Sequence, residues 1–131
     1  MSIFCLFVIM IKSAFILKSK TGKDFLCDMR YVEDGTQKPV ILFVHGFKGF
    51  KDWGHFNLIA DYFANNGFVY VKLNLSHNGT SHDNPIDFVD LEAFGNNNFS
   101  IELDDLGDVI DYLFSGDSVI PKNEIDLDKL N

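Results

Sequence analysis

A chain of 131 residues with 47% apolar residues and a mean hydropathy of +0.04 has material for one ordinary core, and one domain is its limit. Nineteen acidic residues against eleven basic ones leave a net charge of −8, which repels nucleic-acid backbones and anionic membranes and argues against both as partners. Fourteen phenylalanines argue against disorder, and two cysteines, Cys5 and Cys27, lie in no metal-type or CxxC spacing, so neither a disulfide scaffold nor a zinc site is suggested.

Ile3 to Ile11 is an unbroken apolar stretch. No Lys or Arg precedes it and no small-x-small cleavage site follows, which argues against a signal peptide. As a helix it would reach only about 14 Å against a hydrocarbon core of about 30 Å, too short to span. Residues 1–12 are therefore read as an apolar extension, with translation starting at Met1 or equally at Met10, and residues 13–131 as the domain. A reducing, cytoplasmic compartment fits the cysteine usage.

Ser13 to Lys18 and Phe25 to Tyr31 are short apolar runs joined by a segment containing Thr21 and Gly22, the pattern of a hairpin. Asp34, Gly35 and Pro39 mark a turn. Val40 to Val44 is then a continuous β-branched and aromatic run, as in a strand buried on both faces of a parallel sheet. Phe56, Ile59, Ala60 and Phe63 recur at helical spacing until Gly67, and Phe68 to Leu75 returns to strand character. A strand, helix, strand unit of this kind implies parallel pairing with a right-handed crossover, so the class is α/β. Ser76 to Asn98 reads as a long polar loop, and loops of that length tend to be functional. Ile101, Leu106, Val109, Ile110 and Leu113 mark a further helix, capped by Asn98 or Ser100 and stopped by Gly116. From Asp117 to Asn131, with Pro121 and scattered acids, no further apolar strand is predicted.

The segment VILFVHGFKG, Val40 to Gly49, puts His-Gly-Phe directly after a buried strand, and here the sequence resembles the α/β-hydrolase superfamily. The resemblance runs from about Ser13 to Ser115 and includes the exposed loop NLSHNGTS, Asn74 to Ser81. Its pattern is most similar to esterase and peptidase-like members of the dienelactone-hydrolase kind. It implies a partial form of the fold: an N-terminal hairpin, parallel strands with two to three helices, and an incomplete sheet. It also implies a serine mechanism on a small ester or peptide substrate, without a cofactor or a metal.

Such chemistry builds negative charge on a carbonyl oxygen, which fixed N–H donors stabilise without reorganising. By the resemblance, the backbone N–H groups of Phe47 and Lys48 face that oxyanion. Gly46 lets the chain turn, and His45 hydrogen-bonds to support the loop rather than serving as the base, which the family takes from far later in the chain. The family's G-x-S-x-G elbow is absent. Gly79-Thr80-Ser81-His82-Asp83 and Gly116-Asp117-Ser118 both fail to match it. With the nucleophile missing, the acid and the histidine that follow it in the family are expected to be missing too. The reading is therefore an inactive N-terminal portion, ending where the strand into the elbow would begin.

Two alternatives from other classes stand beside it. One is a free-standing α/β binding or interaction module without catalysis. The other is a metal-dependent hydrolase built on His45, His55, His77 and His82, whose spacings fit no usual zinc pattern. A nucleotide site is disfavoured, because Gly46, Gly49 and Gly54 form neither GxxxxGK[ST] nor GxGxxG. Asp104, Asp108 and Asp111 share one helix face and read as a solvated surface. Without the elbow strand, Val40 to Val44 would become an uncharged sheet edge, inviting self-association or a complementing chain.

Overall fold

The computed structural model describes residues 9–131, so most of the apolar extension lies outside the described residues, and Ile9 to Lys12 belong to the first strand. A hairpin of β1 (Ile9–Lys18) and β2 (Asp24–Glu33) opens the fold, closed by a turn in which Gly22 takes φ +87° and donates to the Ser19 carbonyl at 2.9 Å. β3 (Lys38–Val44), α1 (Phe56–Asn65) and β4 (Val69–Leu73) form the expected crossover unit, β3 and β4 pairing in parallel. A short helix α2 (Leu91–Gly95), a long helix α3 (Phe99–Phe114) and β5 (Ile125–Leu130) complete it. The sheet runs β1-β2-β4-β3-β5, with β1/β2 and β2/β4 antiparallel and the other pairs parallel. Among the described residues no helix is long and apolar enough to cross a membrane.

Side chains alternate across the sheet. Phe25, Cys27, Met29 and Tyr31 of β2 and Val69, Val71 and Leu73 of β4 face one way, in one buried cluster with Val109 and Leu113 of α3. Phe15 stacks on Tyr112 of α3, ring centroids 4.4 Å apart. The opposite face meets α1 and is partly charged: Asp28 and Lys72 sit opposite each other in the β2/β4 register, and Arg30 reaches Asp61 of α1 at 2.7 Å. At the end of α1 the Gly67 and Phe68 amides donate back to Ala64 and Phe63, with Gly67 at φ +86°, the turn that a terminal glycine allows.

Three sequence expectations change. The strand buried along its whole length is β4, not β3, whose tip Val44 is 38% exposed. The stretch after β4 is not an exposed loop, since Asn74 to Thr80 are buried and α2 follows within the segment expected to be irregular. Its backbone tolerates burial because its own side chains serve as partners, Asn78 Oδ1 accepting from both the Thr80 amide and hydroxyl at 2.9 and 2.7 Å. Finally, the tail contains a strand. β5 lies beside β3, so the expected bare edge is covered as far as Leu42, whose amide donates to the Asn131 carbonyl at 2.7 Å. Ile125-Asp126-Leu127-Asp128 alternates, the pattern of a half-solvated strand, and a search for an apolar run does not find it.

Candidate active site

β3 ends in a tight turn in which the Gly49 amide donates to the Gly46 carbonyl at 2.9 Å. Lys48, third in that turn, has φ +57°, as a type II turn requires. The conformational demand thus falls on Lys48 and Gly49 rather than on Gly46, which has ordinary φ and open space where a Cβ would stand. At Gly49 a Cβ would lie 2.8 Å from the Gly46 carbonyl oxygen and 3.3 Å from His45. Gly49→Ala is accordingly expected to force the turn open and cost about 2 kcal/mol, as overpacking against backbone does. Urea unfolding, with amide NMR shifts of residues 45–50, checks this; an unshifted turn would contradict it.

His45 is buried and committed at both ring nitrogens. Leu75 N–H donates to Nε2 at 3.1 Å, so Nδ1 carries the hydrogen and donates to the Gly46 carbonyl at 2.9 Å. Burial lowers its pKa, keeping it neutral at neutral pH. Its place is between the β3 turn and the β4 loop. Asn78 adds a second tie through Nδ2 to the Gly49 carbonyl at 3.2 Å, and Asn74 a third, its Oδ1 accepting the Lys51 amide at 2.7 Å. By contrast, the amides of Phe47 and Lys48 donate to no acceptor among the described residues. They border a cleft of about 340 Å3 whose walls include Leu75, Phe94, Phe99 and Glu102.

The fold with this turn at its parallel strand ends has counterparts among solved structures. The chain is similar to a hypothetical protein from Pseudomonas aeruginosa, with TM-score 0.64 and 16% identity over 93% of this chain and 34% of that one. It is also similar to the esterase Est22, with TM-score 0.66 and 12% identity over 92% of this chain and 34% of that one. A protein from Klebsiella pneumoniae described as a dienelactone hydrolase gives TM-score 0.64 and 12% identity over 93% of this chain and 48% of that one. The fold is that of the α/β-hydrolases, in partial form. The chain spans about a third of the length of the first two structures and about half of the third. No family model matches the sequence, and no curated protein matches it.

A serine, a histidine and an acid do meet in this α/β-hydrolase fold, outside any elbow. Ser76 Oγ lies 2.7 Å from His77 Nδ1, and the Ser76 amide donates to Asp105 Oδ2 at 2.7 Å. This wiring is not that of a catalytic triad, in which the imidazole stands between serine and acid. Here the serine stands in the middle. All three are buried, Ser76 at 1%, His77 at 8% and Asp105 at 0% exposure. Asp105 is instead a structural anchor of α3 beneath the β4 loop, a role the sequence hid among its neighbouring acids.

Burial raises the Asp105 pKa from 3.8 to about 6, outweighing the Ser76 hydrogen bonds, and its Oδ1 has no partner. A folded-state pKa above the unfolded one means stability is fullest below about pH 3.8 and falls as pH rises through about 6. Two units correspond to about 3 kcal/mol. Measured against the non-titrating Asp105→Asn variant in urea melts from pH 4 to pH 7, the native chain should lose ground by roughly that much. A flat difference would show that Asp105 does not titrate in this window.

The other histidines do not join the cleft. His82 pairs with the exposed Asp83 at 3.3 Å, and His55 precedes α1 without a side-chain capping bond. Among the described residues no three His, Cys, Asp or Glu side chains gather to hold a metal. Of the acidic α3 face, Asp104 meets Lys20 at 2.7 Å.

Proposed function

We propose that the turn after β3 supplies oxyanion donors for hydrolysis of a small ester or amide, in a protein whose attacking serine, acid and base lie outside residues 1–131. The observation that carries this reading is the pair of consecutive amides, Phe47 and Lys48, held by the His45 and Asn78 bonds yet without an acceptor among the described residues. Substrates of α/β sheets sit beyond the carboxyl ends of the strands, where this turn stands. Donors fixed in that way need no reorganisation when the carbonyl oxygen becomes charged, and one such donor contributes about 100- to 1000-fold in rate. β5 runs parallel to β3 and heads toward the same end of the sheet, where the mechanism needs its attacking group. A cytoplasmic, reducing setting accords with the buried free thiol of Cys27.

Two measurements test the reading on the chain itself. A fluorophosphonate probe, which reacts only with an activated serine, should leave it unlabelled; labelling would mean that a nucleophile lies within it, Ser76 included. Acetate, whose carboxylate oxygen stands in for the oxyanion, should shift the amide resonances of Phe47 and Lys48. Silence of both amides at saturating acetate would overturn the assignment.

A further inference from the structure

We infer that the cleft beside the turn holds the apolar arm of the substrate, so that the esters or amides suited to this site carry an aromatic or medium-length alkyl group. The inference rests on the reading of the Phe47 and Lys48 amides as the oxyanion site and extends it to what is attached to the carbonyl.

Beside the cleft lies a second depression of about 180 Å3 lined by Lys48, Phe88, Leu91 and Phe94, which shares Lys48 and Phe94 with the cleft. A carbonyl placed against the amides therefore has a largely apolar depression close by, with Phe94 common to both. The walls are aromatic: Phe47 and Phe94 lie with ring centroids 5.6 Å apart, and Phe88 meets Phe50 edge-on at 6.2 Å.

Those walls are set before any ligand arrives. Gly79, at φ +97°, sits so close behind them that a Cβ there would lie 3.0 Å from Phe88 Cδ1 and 3.4 Å from Phe94 Cβ. α2, which carries Leu91 and Phe94, is pinned by Asp90: its amide donates to the Gly79 carbonyl at 2.9 Å, and its carboxylate accepts from Ala93 at 3.0 Å and from Lys23 at 2.7 Å. A groove whose rings are already ordered loses little entropy on binding.

The lining of the second depression decides the class of arm. Lys48 turns its ammonium over the Phe47 ring at 5.7 Å, and Glu102 is occupied by Asn97 Nδ2 at 2.7 Å. In the second depression, where Phe88, Leu91 and Phe94 make up most of the lining, an apolar arm covers side chains that are now wet, Leu91 being 69% and Phe88 42% exposed.

The test compares acetate with 3-phenylpropanoate, two carboxylates that differ only in the arm, titrated into the 131-residue chain and followed by NMR. Binding of 3-phenylpropanoate should be at least about tenfold tighter, from the apolar area it removes from water, and should move Phe94 and Phe88 ring resonances together with the Phe47 and Lys48 amides. Phe94→Ala should erase that advantage. Leu91→Ser, on an exposed side chain, should weaken the longer ligand without touching the core. Equal affinity for the two carboxylates, or binding of the longer one with the Phe94 ring unmoved, would overturn the apolar-arm inference while leaving the oxyanion reading standing. Failure of acetate and 3-phenylpropanoate alike to move the two amides would instead overturn the oxyanion reading.

Discussion

Asp52→Ala is expected to lower stability by about 3–5 kcal/mol, the cost of stranding a buried charge. Lys72 lies in the middle of β4 with its side chain fully buried, its ammonium donating to Asp52 Oδ1 at 2.7 Å and to Asn57 Oδ1 at 2.5 Å. Lys51 donates to Asp28 Oδ2 at 2.5 Å and to Asp52 Oδ2 at 2.6 Å. Asp52 thus bridges two ammonium groups, and without it both compete for Asp28. Burial alone would raise the Asp52 pKa, but the two lysines outweigh it and hold the carboxyl below its ordinary value. The stabilisation is therefore present above the normal carboxylate range and is lost as pH falls. Lys72→Met should be far milder, because it removes the charge itself and leaves Lys51 with both carboxylates. Urea unfolding of the two variants and of the double variant decides. If Lys72→Met proves the worse of the pair, the account is wrong; if Asp52→Ala alone fails to fold, the double variant should recover.

Glu124→Ala should cost about 3 kcal/mol, by taking from Lys38 one of its two carboxylates and leaving two amides unmet. Glu124 sits just before β5 with its side chain 2% exposed, accepting from Gly35 N–H at 2.6 Å, from Asp34 N–H at 3.2 Å and from Lys38 Nζ at 2.5 Å. Its backbone carbonyl also takes the Lys38 amide at 3.1 Å. Lys38 keeps Asp34 Oδ1 at 2.6 Å as a second partner, which is why this loss is smaller than that at Asp52. Hydrogen exchange should show the amides of β5 losing protection while those of the β1/β2 hairpin keep theirs. Glu124→Gln, which retains an acceptor for the amides, should recover part of the loss. An alanine variant as stable as the native chain would disprove the clamp.

The hairpin, the crossover unit and the capped α3 were legible because each is written locally, in periodicity and in turn residues such as Gly22 and Gly67. Asn98 does cap α3, its Oδ1 accepting the Ile101 amide at 3.1 Å. What escaped depends on partners distant in sequence. Lys72 in VYVKL looks like a solvated interruption until Asp28, Asp52 and Asn57 surround it. β5 is legible only once β3 offers it an edge and Glu124 finds Lys38. At the candidate site, the motif HGFK located the turn. The strained position and the close contact fell two and three residues beyond the expected Gly46, on Lys48 and Gly49, because φ and packing are not written in a glycine count. The aromatic walls from Phe88 and Phe94 lay in a segment read as polar loop, and only the folding of Gly79 beneath them shows what they line.

The ion pair between residues 38 and 124 joins positions 86 apart in the chain, whereas the hairpin and the crossover unit connect near neighbours. Closing so long a loop exacts an entropic toll before any contact rewards it, which slows that step relative to the others. Synthesis proceeds from the N-terminus, so the first four strands emerge and can organise before the outermost one exists. The flank of β3 therefore stays open until β5 has been made and docks beside it.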